Sequence, residues 1–257
     1  MSKFVDKLQS LSRSSTAPIG FHPAVSKAKS PAMLLVVGLS GTQVKEAKVV
    51  ADVQADAGLI MSEGTSAKAV GQVVEAVGDV PLGVFVKGMS EKEIDELVSL
   101  GCDFVVFDVK AAAGILSKKE VGKFLTVEPS LDQGLVRAIN RFEVDGVFIS
   151  ARSGGSFVAV EHLLVCRRFV ELLEKPVMVA LPSLATREEL TSLWQGGVDG
   201  VVAPLAQSAE ALAELRKTIG DLPRGARGRR PRAGVMLPHY GEGVVGEEDE
   251  EQEEDLV

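Results

Sequence analysis

Residues 81–110 read PLGVFVKGMSEKEIDELVSLGCDFVVFDVK. The stretch begins and ends with short apolar runs, 81-PLGVFVKG-88 and 103-DFVVFDVK-110, which are continuous rather than alternating. Continuous runs are typical of parallel strands that are covered on both faces. Between them, Ser90 and Glu93 form a capping box, and Gly101 ends the helical pattern. The stretch therefore predicts a strand, a helix and a second strand parallel to the first.

The same unit recurs along the chain. Six further apolar runs are followed by a turn and then by a helical pattern, and the first residues of successive runs lie roughly 20–30 positions apart. They are 33-MLLVVGLS-40, 57-AGLIMSEG-64, 122-GKFLTVEPS-130, 145-DGVFISAR-152, 176-PVMVALPS-183 and 199-DGVVAPLA-206. Eight such units predict an α/β protein with a closed (β/α)8 TIM barrel. An open, doubly wound sheet is the alternative, but 36-VVGLSGTQVKEA-47 matches its Gly-rich phosphate turn poorly.

Two connecting segments carry specific expectations. Only ten residues, 111-AAAGILSKKE-120, join the fourth and fifth strands, so one barrel helix should be stunted or replaced by a loop. Segment 130-SLDQGLVRAINRFEV-144 has the apolar spacing of a helix packed on the core. The side chains expected to face inward are Leu131, Leu135, Ala138, Ile139 and Phe142.

The chain divides into three parts. Residues 1–32 form an N-terminal extension, in which 2–11 are expected to make a short amphipathic helix that closes the bottom of the barrel. Residues 33–223 form the barrel. Residues 224–257 hold five Arg in RGARGRRPR and then nine acidic residues in EGVVGEEDEEQEEDLV, a composition that predicts a disordered tail. The formal net charge of −8 therefore belongs to the tail, because residues 1–241 carry 27 acidic and 28 basic side chains.

Composition excludes several classes of protein. An apolar fraction of 46% excludes a wholly disordered chain, and two Cys exclude a disulfide scaffold. No apolar stretch approaches the roughly 20 residues of a transmembrane helix, and the first residues lack the pattern of a signal peptide. Cys102 and Cys166 lie in apolar patterns and are expected to be buried, unreactive thiols. We therefore expect a cytoplasmic protein.

One segment resembles a known superfamily. Residues 195-QGGVDGVVAPLAQS-208 are similar to the eighth-strand signature of the aldolase-type, phosphate-binding TIM barrels, and 145-DGVFIS-150 and 103-DFVVFD-108 repeat its aspartate-then-apolar pattern. The resemblance covers about residues 30–220 at the level of fold and assigns no specific family. It implies a phosphate site at the ends of strands seven and eight, where backbone N–H groups would bind the ligand. Pro182 and Pro204 remove donors at those two ends.

Polar residues are concentrated where the predicted strands end. Function in such barrels lies at this end, and five charged residues follow four consecutive strands there. We interpret them as a catalytic cluster in which a lysine acts as a base or forms a Schiff base and the carboxylates transfer protons. Alternation along a strand predicts that Asp108 and Lys110 project to the same side. The candidates are Glu63, Lys87, Asp108, Lys110 and Glu128.

Other interpretations of this cluster stay open. The five residues could instead form salt bridges on the barrel rim without catalysis. The three carboxylates could hold Mg²⁺, but the intervening lysines argue against it and we predict no metal. His22, His162 and His239 do not follow strands, so no His-centred triad or zinc site is expected.

The loop after the sixth strand is the candidate anion site. A guanidinium and a run of small residues before a helix can offer N–H donors to an anion. The alternative is a loop in which Ser156 caps the next helix. The candidates for binding the anionic group of a substrate are Arg152, Ser153, Gly154, Gly155 and Ser156.

Three functions are consistent with these features. The leading hypothesis is an enzyme, a lyase or isomerase, that acts on a small anionic carbonyl compound. The first alternative is a non-catalytic barrel that serves as a binding or scaffold module through its charged tail, with a protein partner for the acidic end. The second is an FMN-dependent oxidoreductase, and no other cofactor is suggested. Nucleic-acid binding by the Arg-rich segment is not favoured, because the acidic residues downstream compete for it. Oligomer formation is compatible with the sequence.

Overall fold

The strands form a closed barrel. The computed structural model describes residues 2–14, 31–62, 65–150, 157–205 and 208–223. Eight parallel strands pair in chain order, and the last pairs with the first, so the predicted TIM barrel is confirmed and the sheet is not open. The strands are β1 (Leu34–Leu39), β2 (Ala57–Ile60), β3 (Leu82–Val86), β4 (Phe104–Phe107), β5 (Gly122–Val127), β6 (Gly146–Ile149), β7 (Val177–Ala180) and β8 (Gly200–Pro204).

Helices alternate with the strands. In the described residues, one helix precedes the barrel and seven lie around it, while the connection between β4 and β5 contains only a short 3-10 helix, η1 (Ala113–Ser117), as the ten-residue segment predicts. The helices are α1 (Lys3–Ser14), α2 (Val44–Asp52), α3 (Ala67–Val77), α4 (Glu91–Ser99), α5 (Gln133–Ile139), α6 (Val160–Leu172), α7 (Arg187–Gln195) and α8 (Ala209–Gly220). The barrel elements therefore run from Leu34 to Gly220, inside the predicted range 33–223.

Aromatic side chains fill the lower part of the barrel interior. Phe104, Phe124 and Phe148 point inward and are fully buried, and Phe4 of α1 inserts among them. The Phe4 ring stacks on Phe104, with ring centroids 4.6 Å apart, and lies 5.6 Å from the Phe124 ring. The amphipathic N-terminal helix therefore closes the bottom of the barrel, as predicted, and the interior is a packed core rather than a channel.

Aspartates fix the bottom of the barrel. Asp103 precedes β4, and its carboxylate accepts hydrogen bonds from the backbone N–H groups of Lys3 and Phe4 at the start of α1. Asp56 precedes β2 and accepts the N–H of Leu35 as well as two bonds from the Arg216 guanidinium of α8. These carboxylates satisfy donors at strand and helix ends that would otherwise be buried without partners. The aspartate-then-apolar pattern therefore has a structural role.

The structure corrects one expectation about α5. Ile139 is buried as predicted, but Leu135 and Phe142 are 58% and 51% exposed. η1 packs against α4, where Lys118 forms an ion pair with Asp95, and no full helix stands between η1 and α5. Leu135 and Phe142 therefore lie outside the core, and Val136 is buried beside Ile139 instead.

Candidate functional site

The carboxyl ends of all eight strands meet at the end of the barrel opposite α1, which we call the mouth. Three side chains form one row there across β3, β4 and β5: Lys87, Asp108 and Thr126. Each lies one residue beyond a pair in the hydrogen-bonded register, and each lies two residues beyond a side chain of the barrel interior. Those interior residues are Phe85, Val106 and Phe124. Thr126 lies within β5, so alternation along the strand directs its side chain inward. Lys87 and Asp108 lie one residue beyond the ends of β3 and β4, where Lys87 is exposed and Asp108 is half-buried.

Asp108 and Lys110 are related through a turn rather than through a strand. β4 ends at Phe107, and the Asp108 carboxylate accepts the backbone N–H of Lys110 at 2.9 Å. Asp108 is half-buried, whereas Lys110 is exposed. Strand alternation therefore does not reach Lys110, and the turn sets where its amine lies. This bond holds one carboxylate oxygen of Asp108 in place and so restricts the orientation of the side chain.

Thr126 was not among the sequence candidates. Its hydroxyl oxygen is buried and has no hydrogen-bond partner among the residues that the structure describes. A buried hydroxyl without a partner loses about 1–3 kcal/mol of hydrogen bonding, so such groups are rare unless water or a ligand completes them. The sequence did carry a signal for it: Thr126 is a polar residue in an apolar strand, two positions after Phe124 and therefore on the same, inward face. Thr126 is therefore the best-defined donor at the floor of the mouth.

Glu128 lies at the rim. It follows β5 directly, is exposed, and its backbone C=O accepts the N–H of Leu131. It is two residues beyond Thr126 and is therefore higher in the mouth than the row. Glu63 and the five residues of the candidate anion loop lie outside the described residues, so their roles stay predictions. That loop comprises Arg152, Ser153, Gly154, Gly155 and Ser156.

A second carboxylate lies on the other side of the mouth. The Ser40 hydroxyl, just beyond β1, donates to one oxygen of Glu46 at 3.2 Å. The other oxygen of Glu46 is buried and has no partner among the described residues. Glu46 is the third residue of α2, where a carboxylate is favoured by the helix dipole. The sequence analysis did not single out Glu46, because an acidic residue at the third position of a helix is also common where it serves only to cap that helix.

Up to residue 205, the ends of β7 and β8 lack several of the backbone donors that a phosphate, including that of FMN, would need. Pro182 and Pro204 have no N–H. The N–H of Leu181 donates to Val202, and that of Leu205 donates to Gly38, so both are already used within the barrel. Residues 206 and 207 lie outside the described part of the chain. The described strand ends therefore supply no free backbone cradle of the kind that the superfamily resemblance implies.

Metal and thiol chemistry find no support in the described ranges. Among those residues, no group of three or more His, Cys, Asp or Glu side chains is arranged to hold a metal ion. Burial raises the pKa of Cys102 and of Cys166 to about 12, so both thiols are protonated at neutral pH. His162 accepts the N–H of Ala159 through Nδ1, which is a structural contact at the start of α6. None of the helices in those ranges is long and apolar enough to cross a membrane.

Comparison with known proteins shows the fold. No protein-family model matches the sequence, and no curated protein matches it. A mutant tryptophan synthase α-subunit from the hyperthermophile Pyrococcus furiosus is similar over 75% of this chain and 98% of that chain, with a TM-score of 0.57 and 16% identity. Tryptophan synthase from M. tuberculosis, in its aminoacrylate-bound form, is similar over 86% of this chain and 98% of that chain, with a TM-score of 0.58 and 13% identity. The likeness is one of fold alone.

Proposed function

We propose that the mouth is the active site of a lyase or isomerase that acts on a small anionic carbonyl compound. The observation that carries the proposal is the buried Thr126 hydroxyl, which has no hydrogen-bond partner among the described residues and lies in the same row as Asp108 and Lys87. A substrate oxygen placed against that hydroxyl would lie beside one carboxylate and one amine. The Arg152–Ser156 loop would bind the anionic group of the substrate.

The row and the predicted candidates around it include the groups that carbonyl chemistry needs. A neutral lysine amine, of Lys87 or Lys110, would add to the carbonyl carbon, and the carbinolamine would lose water to give an iminium. A carboxylate, that of Asp108, Glu63 or Glu128, would then take a proton from the carbon next to the iminium. The electron pair of the broken C–H bond would form the C=C bond of an enamine, and the π pair of the C=N bond would move to the nitrogen. Without the covalent step, the same carboxylates can move that proton between adjacent carbons.

Reductive trapping tests the covalent route. The full chain would be incubated with cyanoborohydride and one compound at a time: pyruvate, 2-oxobutyrate, dihydroxyacetone phosphate or glycolaldehyde phosphate. We expect one compound to add its reduced mass to a peptide that contains Lys87 or Lys110. The label should disappear in Lys87→Met or Lys110→Met and persist in Lys119→Met, an exposed lysine beyond η1. A label that survives in the double variant would contradict the assignment of the lysine.

Proton exchange tests the non-covalent route. In D₂O, loss of the α-proton signal of one of these compounds in NMR should require the chain and should fall at least ten-fold in Asp108→Asn. Glu120→Gln, an exposed carboxylate remote from the mouth, is the matched control. If no compound is trapped or exchanged, catalysis on small carbonyl compounds is ruled out for this panel.

The binding-module alternative has one supporting observation. The prolines and the committed N–H groups at the ends of β7 and β8 remove the usual phosphate contacts of a catalytic barrel. In that case the acidic segment 242–257 would bind a basic protein partner. Replacing its nine acidic residues by Gln and Asn should then abolish capture of the partner without changing the melting temperature.

A further inference from the structure

The first turns of α6, and Phe157 three residues before the helix, expose large apolar side chains. Phe157, Val160 and Leu164 are 61%, 72% and 66% exposed. Val160 and Leu164 are four residues apart in α6, on the side opposite Cys166, Phe169 and Val170, which face the barrel. We call these three exposed residues the α6 stripe. The next turn of the same face is polar, because Arg167 forms an ion pair with Glu171.

Such a stripe is unusual for a free protein surface. Isolated exposed apolar residues are normal, but a contiguous row of them marks a surface that another element covers. The stripe lies on the half of α6 nearest the mouth, since helices run from the mouth to the bottom of the barrel. Within the described ranges, no element packs over it.

We propose that the stripe is the docking site of the chain's own segment 233-AGVMLP-238. Residues 235–237, Val-Met-Leu, are the only three consecutive large apolar residues after Pro223. They lie between the Arg-rich residues 224–232 and the acidic residues 242–257.

The connection has the required length. α8 ends at Gly220 at the bottom of the barrel, where Arg216 contacts Asp56, and Pro223 is the last described residue. Residues 224–232 span at most about 30 Å when extended. Two helix spacings around the barrel are about 20 Å, and the rise from the bottom of α6 to Leu164 is about 12 Å, which gives a diagonal of about 23 Å. The segment therefore reaches the stripe.

Another exposed apolar side chain of the barrel supplies the control. Leu135 is 58% exposed on α5, one helix further around the barrel from α8. The path to it is about 30 Å, and the fourteen residues 224–237 span up to about 46 Å, so Leu237 can reach it as well. Leu164 and Leu135 are therefore similar in exposure and both within reach, and only docking at the stripe would favour Leu164.

Cross-linking of the full chain tests the proposal. Leu164→Cys with Leu237→Cys should be joined by a short bismaleimide within one molecule, at a yield at least ten-fold above that of Leu135→Cys with Leu237→Cys. Both helix positions are exposed, so neither substitution removes core packing. The native thiols are buried and stay unlabelled in the folded chain.

Two results would overturn the proposal. Equal yields for the two pairs would mean that the segment has no preferred site, and cross-linked dimers would mean that a second copy covers the stripe. A second measurement is independent of cysteine chemistry: Leu164→Asp should raise the amide hydrogen exchange of residues 235–237 at least ten-fold, whereas Leu135→Asp should leave it unchanged. Fast exchange of these amides in the unaltered chain would also reject the docking.

Discussion

The Phe4 ring stacks on Phe104 at 4.6 Å between centroids, although the two residues lie in the N-terminal extension and in the fourth strand. Because both are fully buried, α1 is part of the barrel core rather than an appendage. Phe4→Ala should lower the free energy of unfolding by about 3–5 kcal/mol, the cost of removing a large buried aromatic side chain. Urea denaturation followed by circular dichroism measures this change.

The control for this substitution is Phe142→Ala. Phe142 is 51% exposed, so its removal should change the free energy of unfolding by about 0.5 kcal/mol or less. If Phe4→Ala were equally harmless, α1 would not be packed in the barrel under the conditions of the measurement.

The capping box of α4 predicts a pH dependence. The backbone and side chain of Ser90 both donate to Glu93, and these bonds lower the pKa of the Glu93 carboxyl from 4.5. A carboxyl with a lowered folded-state pKa stabilises the fold above its unfolded-state pKa, and that contribution is lost as the pH falls through the folded-state value. Glu93→Gln should therefore lower the melting temperature at pH 7, and the difference from the unaltered chain should shrink and disappear as the pH falls below the ordinary glutamate pKa of about 4.3. Glu96→Gln, which changes an exposed carboxylate on the same helix outside the capping box, is the matched control.

Because both cysteines are buried, their thiols should react slowly in the native chain. With a pKa of about 12, each thiol is ionised to only about one part in ten thousand at pH 8, and both are buried. Ellman's reagent should therefore detect no rapidly reacting thiol in the native chain and two after denaturation in guanidinium. A thiol that reacts within seconds in the native state would show that the segment around Cys102 or Cys166 opens readily.

Sequence patterns predicted the barrel because each strand is buried on both faces. The run 103-DFVVFD-108, for example, has no polar residue inside the strand. The capping box at Ser90 and the short connection that holds η1 were equally local, so both were correctly predicted. The exposure of Leu135 was not predictable in the same way, because it depends on how α5 is turned against the barrel, with Val136 and Ile139 inward. An apolar helical stripe does not say whether another element covers it.

The candidate site was predictable only in outline. Strand order and alternation place Lys87 and Asp108 in one row, which follows from the sequence alone once the barrel is accepted. The bond between Asp108 and the backbone of Lys110 depends on where β4 ends, a boundary that residue patterns give only to within a few positions. The missing partner of Thr126 is a property of packing, and no pattern of residue types reveals it.

Thr126 therefore gives the sharpest test of the mouth as a binding site. Thr126→Val keeps the shape of the side chain and removes a buried hydroxyl for which the described part of the chain offers no partner. If the hydroxyl serves only the ligand, the variant should be as stable as the unaltered chain or more stable by up to about 1 kcal/mol, because an unpaired polar group is lost. Activity on the compound found by trapping or exchange should fall at least ten-fold, and Thr126→Ser should retain most of it. A variant that is destabilised by more than about 1 kcal/mol would mean that the hydroxyl has a structural partner, such as a bound water, and that its function in the mouth is to hold the barrel together.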